Sequence, residues 1–273
     1  MNLRFVIVRS AYIVLAIAVI FGILLAAPSP VTGILVGLFQ PPDATPLPPV
    51  ITAPRGDIPD GIIAFEEWTK YRGGSFNLSG SGFFLRLPDG TVVGLTTAHS
   101  MVLGDPNRPL EQVAFAIAGH RDKIAVFDTL HGPPGVPLSG PDLSVDYVLL
   151  QVDQGLAGIP YALIPDPRGM PQPGERVTLV SGLGDGNGGR RDLQGTVLSA
   201  DAKAVFVLMD DWFFPGLMSG SPLLSQHTGK VVGMTIAAQQ RGDRILLGFH
   251  PIGSIVELAG SAAKFPKIVD FRR

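Results

Sequence analysis

The chain has 273 residues, room for two modest domains or one large β architecture, and its 34 glycines, 25 prolines and only 16% charged residues favour short strands joined by turns over helical bundles. A formal net charge of -2 offers no basic footprint for nucleic acid. The lack of cysteine excludes disulfides, thiolate catalysis and cysteine-based metal sites, but not a location outside the cytoplasm, because a domain of this size can bury enough core without such staples.

Residues 11–27 carry no charged or strongly polar side chain. Together with the apolar stretch 5–8 they are long enough for a bilayer-spanning helix, which takes about 20 residues. Arg4 and Arg9 precede this segment, and no basic residue follows until Arg55. The positive-inside rule then keeps the N-terminus in the cytoplasm and exports the remainder, periplasmic or extracellular, from a single-pass cell-membrane anchor. A cleaved signal peptide is the alternative: Ala26 and Ala27 are small, although Leu24 and Leu25 occupy positions that cleavage wants small. After a second apolar stretch too short to span, at 31–39, comes "QPPDATPLPPVITAPRGDIP", whose proline density favours an extended spacer. The expected organisation is a cytoplasmic tip and anchor over 1–39, a proline-rich linker over 40–59, and a globular domain over 60–273.

Strand signals fill the globular region. "GSGFFLRLPDGTVVGLTTAHS" places two apolar runs around the turn signal "PDG", which predicts a hairpin. "QVAFAIA", "KIAVFDTL", "VDYVLLQVD", "ERVTLVSGL", "QGTVLSA", "AVFVLMD", "KVVGMTIAA" and "RILLGFHPI" follow, most gaps punctuated by glycine, proline or aspartate. This regular spacing predicts a sandwich or barrels. One helix is expected, near "GSIVELAGSAAKF".

Acyl transfer by serine needs an imidazole to take the hydroxyl proton, a carboxylate to hold that imidazole in the right tautomer, and N–H groups for the oxyanion. His99, in "TTAHS", follows an apolar strand; it is a candidate base or an ordinary strand-end histidine. Asp146, in "SVDYVLLQVD", stands where a loop meets a buried strand, with Asp142 as a rival that reads more as a turn residue and Asp128 and Asp153 as weaker ones. Ser219, in "GLMSGSPLL", is followed by a glycine that permits a tight turn; alone it is a Gly-Ser-Pro loop. His120, His131, His227 and His250 have no metal-ligand spacing and read as surface or loop residues. No metal or cofactor is expected. "GLGDGNGGRRD" lacks the carboxylate order of a calcium loop and reads as a flexible loop near the cleft.

Taken in order, "TTAHS", "DYVLL", "MSGSPLL" and "GKVVGM" resemble the trypsin-like (chymotrypsin-fold) serine proteases over residues 76–258. The hairpin into His99, and "LLGFHPIGSIVE", are most similar to the bacterial HtrA-like branch, here with no PDZ-like segment. The resemblance implies an all-β domain of two antiparallel six-stranded barrels with the site in the cleft between them. It further implies a serine endopeptidase acting on polypeptides, with His99 as base and acid, Asp146 orienting it and Ser219 as nucleophile. Ser221 matches the small residue before proline and takes no catalytic role.

The pattern breaks at one position. The family places glycine two residues before the nucleophile, where its N–H and that of the serine form the oxyanion hole; here Leu217 stands there and glycine has moved to Gly216. Leucine resists the positive φ that glycine accepts. The resting chain is therefore expected to take a relaxed path at 217. That marks an impaired relative that binds polypeptides, a hole formed on binding, or a bulge that re-aims another N–H. By the resemblance, Phe213 and Phe214 surround the base of the substrate pocket and Ile236, Ala237 and Ala238 its wall. With no acidic residue at the base, a small or apolar side chain is expected there.

Overall fold

The computed structural model describes residues 47–153 and 162–272. The expected anchor over 1–39, its alternative as a signal peptide, and the linker up to residue 46 lie outside these. No helix among the described residues is long and apolar enough to cross a membrane.

The first half is a six-stranded antiparallel sheet of β1 (Phe65–Tyr71), β2 (Phe76–Arg86), β3 (Val92–Thr96), β4 (Leu110–Ala116), β5 (Lys123–Phe127) and β6 (Val148–Gln151), in the order β5-β4-β1-β2-β3-β6. The second half is a closed barrel of β7 (Arg176–Val180), β8 (Asp192–Ala200), β9 (Val205–Met209), β10 (Pro222–Ser225), β11 (Val231–Arg241) and β12 (Arg244–Pro251). Two barrels were expected; the first is a half-barrel. Its edge strands are only five and four residues long, and they meet just past β5 through an isolated bridge between Leu130 and Leu150.

The "PDG" hairpin forms as predicted: Gly90 has φ 90°, its N–H donates to the Leu87 carbonyl at 2.9 Å, and Asp89 accepts the Thr91 N–H at 2.9 Å. Phe65, Phe84, Phe115 and Phe127 fill the first core, with ring centroids 5.0 to 5.5 Å apart along the chain 65–84–115–127. Val177, Leu179, Val205, Val207 and Phe249 fill the second. The expected helix, α1 (Ile252–Gly260), buries Ile252, Ile255 and Ala259.

One strand escaped the sequence reading. In β1, the pair Glu66–Glu67 masks an alternation in which Phe65, Glu67 and Thr69 all turn inward. The chain before β1 is also more than a spacer. From residue 47 onward it is fastened to the second half: Ile51 N–H donates to Gly174 O at 2.9 Å, Gly56 N–H to Gln226 O at 2.8 Å, and Arg190 to the carbonyls of Pro59 and Gly61. Extended proline-rich backbone has no internal hydrogen bonds, so its polar groups are free to bond a neighbouring surface.

Candidate active site

His99 lies in the turn directly after β3. Asp146 closes the 3-10 turn Leu143–Val145 ahead of β6, and Ser219 sits on the loop entering β10. The fold draws these three together where the halves meet. His99 Nδ1 is 2.7 Å from Asp146 Oδ2, and His99 Nε2 is 2.8 Å from Ser219 Oγ. Asp146 is fully buried, and its carboxylate also accepts N–H groups from Ala98 at 2.7 Å, His99 at 3.1 Å and Leu138 at 2.8 Å. An ionised carboxylate only accepts, so the shared proton belongs to Nδ1 and Nε2 is left as acceptor toward the serine hydroxyl.

The rival residues are occupied elsewhere. Asp142 caps the 3-10 turn, accepting the Ser144 N–H at 3.0 Å. Asp128 is paired with Lys267 at 2.9 Å on the surface. Ser221 is fully buried, and its Oγ accepts the Gly182 N–H at 3.1 Å. His131 and His250 are buried, against the expectation of surface positions. His131 fits between Gln151 Oε1 at 2.8 Å and Ala259 O at 3.1 Å, while the His250 ring packs edge-on to Tyr147 and burial lowers its pKa. No group of side chains able to hold a metal ion occurs among the described residues. In the glycine-rich loop, Asp185 is spent on its own backbone, accepting from Asn187 and Gly189 at 2.8 and 2.9 Å.

Leu217 does not take the relaxed path expected of it. Its φ is 63°, and no other non-glycine residue described has a positive φ. Its carbonyl accepts the Ser81 hydroxyl at 2.9 Å, and the Ser219 carbonyl accepts the Ser81 N–H at 2.8 Å. Among the described residues, neither the Leu217 N–H nor the Ser219 N–H has an acceptor. The buried Met218 between them anchors the loop in the second core. Gly220 has φ 93°, and a Cβ there would lie 1.8 Å from the Ser81 carbonyl, so the family's glycine after the serine is also required here.

Of the residues expected around the pocket, Ile236 and Ala237 are buried and Ala238 half-buried on β11. Phe214 is 70% exposed, its ring over Gly216, whereas Phe213 is packed into the second core. Three residues that the sequence reading passed over complete the floor of the site. Glu67, Ser81 and Thr96 are fully buried beneath the loop of Ser219 and the turn of His99. Period-two phasing of Phe65, Glu67 and Thr69 was the available signal for the first of them.

No curated protein matches this sequence. Solved structures do. A thermostable serine protease, AL20, from an extremophilic microorganism matches with TM-score 0.50 and 13% identity, over 74% of this chain and 97% of its own. The protease domain of MamO from Magnetospirillum magneticum matches with TM-score 0.44 and 20% identity (71% and 94%), and the serine protease domain of the Sesbania mosaic virus polyprotein with 0.44 and 15% (73% and 92%). At these identities the likeness is one of fold. The model of the trypsin-like peptidase domain matches residues 80–234, more than half of the sequence and the span that holds His99, Asp146 and Ser219, and the chain belongs to that family.

Proposed function

We propose that this chain is a serine endopeptidase held at a membrane by its N-terminal apolar segment. The observation that carries the reading is the continuous line from Asp146 through His99 to Ser219, at 2.7 and 2.8 Å. His99 Nε2 takes the Ser219 proton as Oγ attacks the scissile carbonyl, and Asp146 stabilises the imidazolium. The Leu217 and Ser219 N–H groups receive the oxyanion. The proton passes from His99 to the departing amine, leaving the acyl-serine, and a water activated by the same imidazole releases the acid. Phe214 and the 236–238 segment of β11 favour a small or apolar side chain before the scissile bond.

The arginines before the apolar segment support a cytoplasmic N-terminus with the protease domain on the other side of the membrane. In sealed spheroplasts, added protease should then digest the 60–273 region; its complete protection would reverse the orientation. Activity is tested with a fluorophosphonate, which should label the wild type at Ser219 and leave Ser219→Ala unlabelled at unchanged thermal midpoint. A second reading, a polypeptide-binding relative with impaired catalysis, draws on the strained backbone at Leu217. Peptide binding without any labelling would favour it.

A further inference from the structure

Glu67 lies inside the first half with no exposed surface. A bulge in β2, where Glu67 pairs with Gly80 but Trp68 with Leu78, turns Ser79 toward it. Ser79 Oγ donates to Glu67 Oε1 at 2.7 Å, and Thr96 Oγ1 is hydrogen-bonded to Oε2. Among the described residues no lysine or arginine pairs with Glu67. Thr96 Oγ1 is also 2.8 Å from the Ser81 carbonyl. A threonine hydroxyl has one proton, and a carbonyl can only accept. Each Thr96 contact has a proton of its own when Thr96 donates to Ser81 and a neutral Glu67 donates to Thr96.

We propose that Glu67 is a positioning residue of this site and its proton switch. As the neutral acid it donates to Thr96, Thr96 donates to the Ser81 carbonyl, and Ser81 holds the carbonyls of Leu217 and Ser219. As the carboxylate it draws the Thr96 proton to itself, and the chain is cut at Ser81. The catalytic consequence rests on the protease reading above; the switch itself does not.

The surroundings favour the neutral form at moderate pH. β2 presents Ser79 and Ser81, β3 presents Thr96, and β4 places Phe115 opposite Glu67. Glu66 is engaged elsewhere, with the Trp68 indole at 2.9 Å and the Gly119 N–H at 3.1 Å. Asp146 is engaged by His99 Nδ1 at 2.7 Å. Burial pushes the Glu67 carboxyl up to about 7, outweighing the hydroxyl contacts of Thr96 and Ser79 and the electrostatic influence of His99, each of which lowers it.

The experiment pairs a pH series of kcat on p-nitrophenyl acetate, for wild type and Glu67→Gln, with carboxyl and amide NMR of the wild type. Glutamine keeps a donor for Thr96 and an acceptor for Ser79 at every pH. The Gln-to-wild-type ratio of kcat should rise several-fold between pH 6 and pH 8.5 with KM little changed, and the Glu67 carboxyl resonance should titrate near pH 7. A ratio that does not vary with pH, or a carboxyl ionised at pH 5.5, would overturn the proposal. If the chain hydrolyses nothing, the protease reading fails separately. The Leu217 and Ser219 amide resonances then decide this one: they follow the Glu67 titration, or the switch is refuted.

Discussion

Ser81 clasps Leu217: its hydroxyl donates at 2.9 Å to the carbonyl of the residue that, without a glycine's freedom, is held at φ 63°. Left-handed backbone costs a leucine roughly 1–2 kcal/mol. Here that conformation is set before any substrate arrives, by Ser81 on one side and by the burial of Met218 on the other. Leu217→Gly should therefore change kcat by less than about threefold, since the backbone at 217 already takes the positive φ that a glycine would accept. The relief of strain is offset by roughly 0.5–1 kcal/mol of added freedom in the unfolded chain, so the unfolding free energy should stay within about 1 kcal/mol of wild type. A tenfold rise in kcat on a small ester would mean that the leucine enzyme rests with its hole unformed.

Glu67 also sets a pH dependence of stability. Its carboxyl rises from 4.5 to about 7 on folding, so the native state holds the proton more tightly than the unfolded chain. This contribution is fully present below pH 4.5, fades as pH climbs toward about 7 and is gone above it, a total of about 3 kcal/mol. Urea unfolding of wild type and Glu67→Gln at pH 4.5 and pH 8 isolates it: the wild type should lose stability relative to the variant across that interval. Parallel curves would show that Glu67 does not titrate there.

The second half carries its own buried charges. Arg168 donates to Asp166 at 2.7 Å and to Glu175 at 2.9 Å, and Ser225 Oγ lies 3.1 Å from the same guanidinium. Burial by itself would raise both carboxyls; the Arg168 hydrogen bonds, aided by Thr228 and Ser225, hold them below the usual range. Arg168→Met leaves two buried carboxylates without their cation and should cost about 3 kcal/mol or more at pH 7. The loss should shrink as pH falls and the carboxyls take up protons. Thermal unfolding at pH 7 and pH 4 measures it; an equal loss at both would assign the effect to packing.

Gly220→Ala should be more damaging than its size implies. The added methyl meets the Ser81 carbonyl at 1.8 Å and the backbone sits at φ 93°, so the Ser219 loop has to shift as a unit. A fall in kcat of about a hundredfold or more is expected, together with loss of fluorophosphonate labelling. Labelling at the wild-type rate would show that the loop adapts locally.

Much of this protein was legible in its sequence. Alternation and turn residues located the "PDG" hairpin and most of the strands, because period-two burial and glycine- or aspartate-bearing turns are local properties. The order His99, Asp146, Ser219 and the misplaced glycine before Ser219 can likewise be read from short motifs. What only the tertiary structure decided is set by residues far apart in the chain. His99 and Ser219 are 120 positions apart, and their separation of 2.8 Å depends on how the two halves meet. Local propensity predicts that Leu217 avoids positive φ. Leu217 adopts that φ because Ser81, 136 residues earlier, supplies a hydrogen bond that no local propensity contains. In "FEEWTKY" the adjacent Glu66 masks the alternation that turns Glu67 inward. Glu67 is buried because β1 lies mid-sheet between β2 and β4, and because a bulge and Thr96 of β3 bring hydroxyls to its carboxyl. The sequence carries the pattern of each strand; which neighbours a side chain meets, and therefore whether it holds its proton, is decided by pairing across the sheet.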